Sequence, residues 1–238
     1  MSVLENIAKI EERIQKACAV AGRKREEITL MGVSKFVPAG KIEEAVSAGI
    51  FCFGESRVQE ATEKLETFRE RYPNVSLHMI GPLQRNKAKT AALFFDCIQS
   101  VDRPELITEL AKHIEKREKP LELLLELHTG EESKNGFADF DSLFKATEYV
   151  LTISGFKLMG LMTMAPYFED MSKPESIDLV RSSFRQLVKA QRELEKRFPG
   201  NWNCLSMGMS NDFEIAIEEG STMLRIGSLI FKEKFKEK

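Results

Sequence analysis

Lys35 is the residue of this sequence whose position most clearly implies chemistry. It directly follows ITLMGVS (28–34), an apolar run that reads as a strand. An ammonium at the end of a buried strand is partly desolvated, and desolvation favours the neutral amine. A neutral amine adds to an aldehyde and forms a Schiff base. The other reading of Lys35 is a solvated lysine at a strand end. A second constellation lies in MGMSND (207–212) and RIGS (225–228). Gly208 and Gly227 let backbone N–H groups approach an anion closely. Ser210 is either the N-cap of the helical run that follows or a hydroxyl donor to a phosphate. Arg225 interrupts an otherwise apolar run. A buried guanidinium needs a partner, either a core carboxylate such as Glu55 or Glu126 or the ring nitrogen of a bound cofactor. His78 alternates with apolar neighbours, as a hydrogen-bonded core histidine or a cofactor contact would. Glu131–Gly136 reads as a solvated turn.

These residues need a scaffold that gathers strand ends. Residues 3–20 carry Leu4, Ile7, Ile10, Ile14 and Ala17 at helical spacing, which predicts a lead-in helix. Eight short apolar runs follow: 28–34, 51–54, 77–80, 94–99, 121–127, 157–163, 203–207 and 222–227. Charged, helix-periodic stretches separate them at about 38–48, 56–71, 84–92, 104–117, 139–149, 175–198 and 211–219. Gly49 and Gly220 stand where helix C-caps belong. Strands alternating with helices mean parallel βαβ units, and runs apolar on both faces mean strands covered by helices. The expected fold is α/β: a single (β/α)₈ TIM barrel over residues 1–238, with an extra N-terminal helix. Such barrels place active sites at the C-terminal strand ends and phosphates on the loops after strands 7 and 8. Lys35, Ser56, Ser210, Arg225 and Gly227 all lie at such ends.

Composition narrows the function classes. The 238 residues suit one barrel, whose usual size is roughly 250. A formal net charge of −2 gives no electrostatic case for nucleic acid or an anionic membrane. Cys18, Cys52, Cys97 and Cys204 form no CxxC pair, and His78, His113 and His128 have no HExxH spacing, so no metal site is expected. The N-terminal MSVLENIAKIEERIQKACAV lacks an apolar h-region, and no later stretch is long and apolar enough to span a bilayer. Free cysteines and no leader point to the cytoplasm.

The pieces LMGVSK (30–35), FGESRVQE (53–60), LHMIGPLQRNK (77–87), EESKNG (131–136), GLMTM (160–164) and LSMGMSNDFEIAIEEGSTMLRIGSLIF (205–231) run in order through nearly the whole chain. Together they resemble the pyridoxal phosphate homeostasis protein family, related to the barrel domain of bacterial alanine racemase. The resemblance implies pyridoxal 5′-phosphate as cofactor and Lys35 as its Schiff-base lysine. It implies phosphate contacts from Ser210, Gly227, Ser228 and Ser206. It places Arg225 against the pyridine nitrogen, where an arginine makes the ring a poorer electron sink, with His78 and Ser56 bordering the cofactor. Members bind pyridoxal phosphate without established turnover and influence vitamin B6 balance. The expected role is therefore cofactor homeostasis and not catalysis, with cofactor-dependent apo-enzymes as partners and a monomer or weak dimer as the assembly. Three positions depart from the family pattern. Ser56 replaces a longer Asn, Leu127 and His128 stand where an Asn is common near the end of strand 5, and Lys232 replaces a Gly.

An amino-acid racemase is the alternative. Two-base racemisation needs an acid/base on each face of the substrate carbon. In alanine racemases the second base is a tyrosine from another domain. Of Tyr72, Tyr149 and Tyr167, none lies at a predicted strand end, and Tyr167 falls in the loop just after strand 6. The sequence stops soon after strand 8, which leaves no expected second domain.

Overall fold

The computed structural model describes residues 2–115, 117–130 and 135–232. The expected turn at Glu131–Gly136 therefore falls mostly outside the described residues, as does the tail from residue 233.

Eight parallel strands close into a barrel in chain order. They are β1 (Thr29–Val33), β2 (Cys52–Glu55), β3 (Ser76–Met79), β4 (Cys97–Val101), β5 (Leu121–Glu126), β6 (Phe156–Met162), β7 (Cys204–Ser206) and β8 (Met223–Ile226). Closure is made by β1 and β8, paired from Thr29↔Met223 to Gly32↔Ile226. The helices between successive strands are α2 (Ala39–Ser47), α3 (Val58–Arg71), α4 (Ala88–Phe94), α5 (Pro104–Ala111), α6 (Phe140–Leu151), α7 (Pro174–Arg197) and α8 (Phe213–Glu218). After β8 the described residues hold only α9 (Ser228–Phe231), too short to cover its strand. The lead-in helix α1 (Val3–Val20) fills that gap, packing against α2, α8 and α9. Its start is fixed by a reciprocal capping box. Glu5 N–H donates to Ser2 Oγ at 3.2 Å, and Ser2 N–H donates to Glu5 Oε2 at 2.9 Å.

The expected barrel and its extra helix are both present, and the differences are local. The buried stripe of α1 begins at Val3 and continues through Ile7, Ile10 and Ile14, while Leu4 points to solvent. Val3, with Ile7 and Ile10, keeps the 3–4 residue spacing that one helix face requires. Strand β4 lies three residues later than Phe94–Phe95 suggested. That pair ends α4, and Asp96 turns the chain by accepting from Leu77 N–H at 2.8 Å and pairing with Arg69 at 2.7 Å. The shift keeps Gln99 in the strand and adds Ser100 and Val101. Helix α5 stops at Ala111, well before residue 117, because Ile114 must reach the space beside Gly155. A Cβ on that glycine would stand 2.6 Å from Ile114 Cδ1. Gly49 and Gly220 adopt positive φ just beyond α2 and α8, as expected of helix ends.

Candidate functional site

The C-terminal strand ends open onto a cavity of 390 Å³. Its wall takes Lys35 from β1, Ser56 from β2, Ser210 from the β7–α8 loop, and Arg225, Gly227 and Ser228 from β8 and its loop. An apolar side comes from Met164, Tyr167, Phe168 and Met171 in the loop after β6. His78 and Ser206 stand beneath this wall and do not line it. A larger cleft of 1220 Å³ opens at the opposite end, against Thr29, Cys204 and Met223 at the strand starts. Its Arg185 and Lys196 are paired with Glu219 and Glu193. Barrel chemistry belongs to the other mouth, so the smaller cavity is the site.

Lys35 is exposed, not half-buried behind its strand. Strand pairing ends at Ser34, whose N–H donates to Gly54 O at 3.0 Å, and the chain then turns outward. Phe36 holds a φ of 61°. The desolvation expected of Lys35 is therefore not supplied by the strand. Ser210 is not a cap either. Helix α8 begins at Phe213 behind Asp212, and Asp212 Oδ1 accepts from Met209 N–H at 2.5 Å. The hydroxyls of Ser210 and Ser228 have no hydrogen-bond partner among the described residues, and no backbone carbonyl among them accepts from the amides of Ser228 and Leu229. Gly227 sits tightly under this loop, since a Cβ there would stand 3.1 Å from Val33 O.

Arg225 is buried, and it satisfies its charge with neutral partners. Nη1 donates to Ser206 Oγ at 2.8 Å and Nη2 to Thr163 O at 2.8 Å. Among the described residues no carboxylate forms an ion pair with it, so of the two alternatives the sequence left open the pairing with Glu55 or Glu126 is not the one found. Glu55 is occupied elsewhere. Glu126 is also buried, and burial pushes its carboxyl up to about 7 against the attraction of Arg225.

The serine that receives Arg225 continues a chain across the barrel. Ser206 Oγ donates to Gln99 Oε1 at 2.7 Å, Gln99 Nε2 lies 2.8 Å from His78 Nδ1, and His78 Nε2 lies 2.8 Å from Ser76 Oγ. An amide N–H donates, so Nδ1 must accept and Nε2 must carry the proton, to be shared with Ser76. His78 is thus neutral, and burial pulls its imidazole down to about 4. Gln99 was not singled out from sequence. Its signal was a polar side chain in CIQSV in phase with Cys97, which packs with Leu124 and Met162 inside the barrel.

Other chemistry finds little support. No group of His, Cys, Asp and Glu among the described residues could hold a metal. Burial pushes the Cys52 and Cys97 thiols up and the Cys204 thiol up to about 12, so they are not nucleophiles. Neither Leu127 nor His128 lines the cavity. Among the described residues no helix is long and apolar enough to cross a membrane.

The donor set fits an aldehyde-bearing phosphate. One cavity offers a primary amine, free hydroxyls and amides beside a tight glycine, an apolar wall and a buried guanidinium. Comparison with known proteins leads to the same chemistry. The family model described as alanine racemase, N-terminal domain, matches residues 6–234. A relative from Aquifex aeolicus, named pyridoxal phosphate homeostasis protein, is 39% identical over 234 residues, covering 98% of this chain and 99% of its own. The structure of PipY from Synechococcus elongatus with pyridoxal phosphate bound has a TM-score of 0.81 at 29% identity, covering 97% of this chain and all of that one. Alanine racemase from E. faecalis, at 15% identity and a TM-score of 0.72, shares the fold, and this chain spans 59% of its length. On its own sequence and along its full length, this chain belongs to the pyridoxal phosphate homeostasis protein family.

Proposed function

We propose that this protein binds pyridoxal 5′-phosphate at the C-terminal mouth of its barrel and serves intracellular cofactor homeostasis. The observation that carries the reading is the meeting of Lys35 with the β7 and β8 loops in one 390 Å³ cavity, a span suited to one small cofactor. The cofactor supplies an aldehyde. Lys35 Nζ would hold the cofactor through that aldehyde carbon as an imine, the aldehyde oxygen leaving as water. Ser210, Ser228 and the backbone beside Gly227 receive the phosphate. Ser56 borders the ring, Arg225 faces its nitrogen, and Ser206 and His78 support Arg225 from below. An arginine at that nitrogen withholds a proton from the ring and blunts it as an electron sink. This suits a carrier better than a racemase.

The relatives' names likewise point to cofactor handling and not to turnover. Tyr167 does line the cavity, but it is largely exposed and has no hydrogen bond among the described residues. A second base needs firmer placement than that. The protein acts in the cytoplasm, as a monomer or weak dimer, and exchanges its cofactor with cofactor-dependent apo-enzymes.

The purified protein mixed with pyridoxal phosphate should show the imine band at about 420 nm. Borohydride should remove the band and leave the label on Lys35. Persistence of the band in Lys35→Ala would defeat the assignment. Steady interconversion of L- and D-amino acids on chiral chromatography would defeat the carrier reading.

A further inference from the structure

Phe36, immediately after Lys35, is a bulky residue with a φ of 61°, a backbone conformation such side chains avoid. Burial does not hold it there, because its ring is 69% exposed. What holds it is the turn's own hydrogen bond, Val37 N–H to Ser34 O at 3.0 Å, together with a set of polar contacts from β2 and α3. Phe36 N–H donates to Glu60 Oε1 at 2.5 Å, and the Arg57 guanidinium lies 5.2 Å from the centre of its ring. On the other side of Lys35, Ser34 Oγ donates to Glu55 Oε1 at 2.6 Å. One ammonium joins the two sides. Lys64 Nζ donates to Ser34 O at 2.8 Å and to Glu60 Oε1 at 3.3 Å, and pairs with Glu55 Oε1 at 2.8 Å. The three N–H bonds of Lys64 are thereby committed to the residue before Lys35, the carboxylate behind it and the carboxylate that grips the residue after it.

We infer that Lys64 is a positioning residue for Lys35, clamping the Ser34–Phe36 turn so that the exposed amine is presented to the cavity in one orientation. This rests on the proposed Schiff base at Lys35. Lys35 is an exposed, flexible side chain, so its pre-organisation must come from its backbone. A fixed turn removes backbone freedom that would otherwise be lost when the amine meets the aldehyde. The plainer role, neutralising buried Glu55, would stabilise the fold and leave no particular mark on imine formation.

Two ligands separate these roles. Pyridoxine 5′-phosphate has a hydroxymethyl group in place of the aldehyde, so its affinity reads the phosphate and ring contacts alone. Pyridoxal 5′-phosphate reads those contacts together with the imine. Lys64→Met should leave the dissociation constant for pyridoxine phosphate within about twofold, and slow appearance of the imine band by about tenfold with a matching loss of pyridoxal phosphate affinity. Glu60→Ala, which frees the Phe36 amide and one Lys64 N–H but leaves Lys64 on Ser34 O and Glu55, should slow the band by about threefold. Lys64→Arg, which can still donate to Ser34 O and Glu55, should recover most of the rate. Glu60→Ala and Lys64→Arg keep Glu55 paired, so they carry the test should Lys64→Met not fold. Folded Lys64→Met and Glu60→Ala proteins with band rates within twofold of the unsubstituted protein would overturn the inference, as would equal losses for both ligands. Borohydride labelling of the unsubstituted protein at a lysine other than Lys35 would instead overturn the underlying assignment, so the two failures are distinguishable.

Discussion

Arg225 keeps a full charge inside the barrel with a hydroxyl and a carbonyl as its direct partners, and two buried titratable groups share that interior. His78 and Glu126 are displaced in opposite senses, and their effects on stability oppose each other. Burial lowers His78 to about 4 from its ordinary 6.5, so between those values the unfolded chain binds the extra proton and stability rises with pH. Burial raises Glu126 to about 7 from its ordinary 4.5, so between those values the folded chain binds the extra proton and stability falls as pH rises. The two slopes cancel from about pH 4.5 to 6.5, where each alone would amount to about 3 kcal/mol. Their variants should expose the hidden terms in urea unfolding. Relative to the unsubstituted protein, His78→Gln should lose stability as pH rises across that window, and Glu126→Gln should gain it. Parallel pH curves for all three proteins would show that neither group titrates as described.

At the scale of elements, the site depends on how closely the β7–α8 and β8–α9 loops approach their neighbours. Gly208 has a φ of 97°, and a Cβ there would stand 2.6 Å from the Cβ of Ala216. An alanine would meet both a left-handed backbone and an overpacked contact, together about 2–4 kcal/mol. Gly227 has an ordinary negative φ, and its nearest contact is 3.1 Å. Gly227→Ala should cost about 1 kcal/mol, since only Val33, whose O and Cβ would stand 3.1 and 3.2 Å away, must give. Thermal unfolding should therefore rank Gly208→Ala well below Gly227→Ala. Pyridoxine phosphate affinity should fall in both, because each loop borders the cavity. The reverse order of stabilities would mean that Ala216 moves aside more readily than Val33.

For the whole molecule, α1 completes the ring of helices that the short α9 leaves open, and it reaches the site indirectly. Asn6 Nδ2 donates to Ile230 O at 2.9 Å, tying α1 to the turn that begins at Gly227. Ile14 is fully buried on the inner face of α1. Ile14→Ala should cost about 2–5 kcal/mol. Cofactor affinity at temperatures well below the unfolding midpoint should be kept, because no cavity residue moves. Removal of residues 2–20 should instead expose the flanks of α8 and α9, giving aggregation in size-exclusion chromatography and a loss of cooperative unfolding. A truncated chain that stayed monomeric and bound pyridoxal phosphate normally would show that α1 is dispensable.

Much of this was present in the residue order. Apolar runs with helical stretches between them dictate βαβ units, and eight of them dictate a closed ring whose C-terminal ends gather distant residues. Lys35 and the glycines of the last two loops could be placed at one mouth on that ground alone, because strand ends are local features and the barrel brings them together by closure. Side-chain partnership is not local, and only the tertiary structure decided it. Arg225 binds Ser206 and Thr163 and not a carboxylate because β7, and β6 beyond it, lie on that side of the ring. Gln99 orients His78 because β4 pairs with β3 in a register that sets Cys97 opposite His78. Lys35 stands in solvent because the chain turns at Phe36, and that turn is held by a helix residue nearly thirty positions away. Spacing along one chain determines which elements form. Which polar groups meet is set by the register between elements, and no periodicity encodes that.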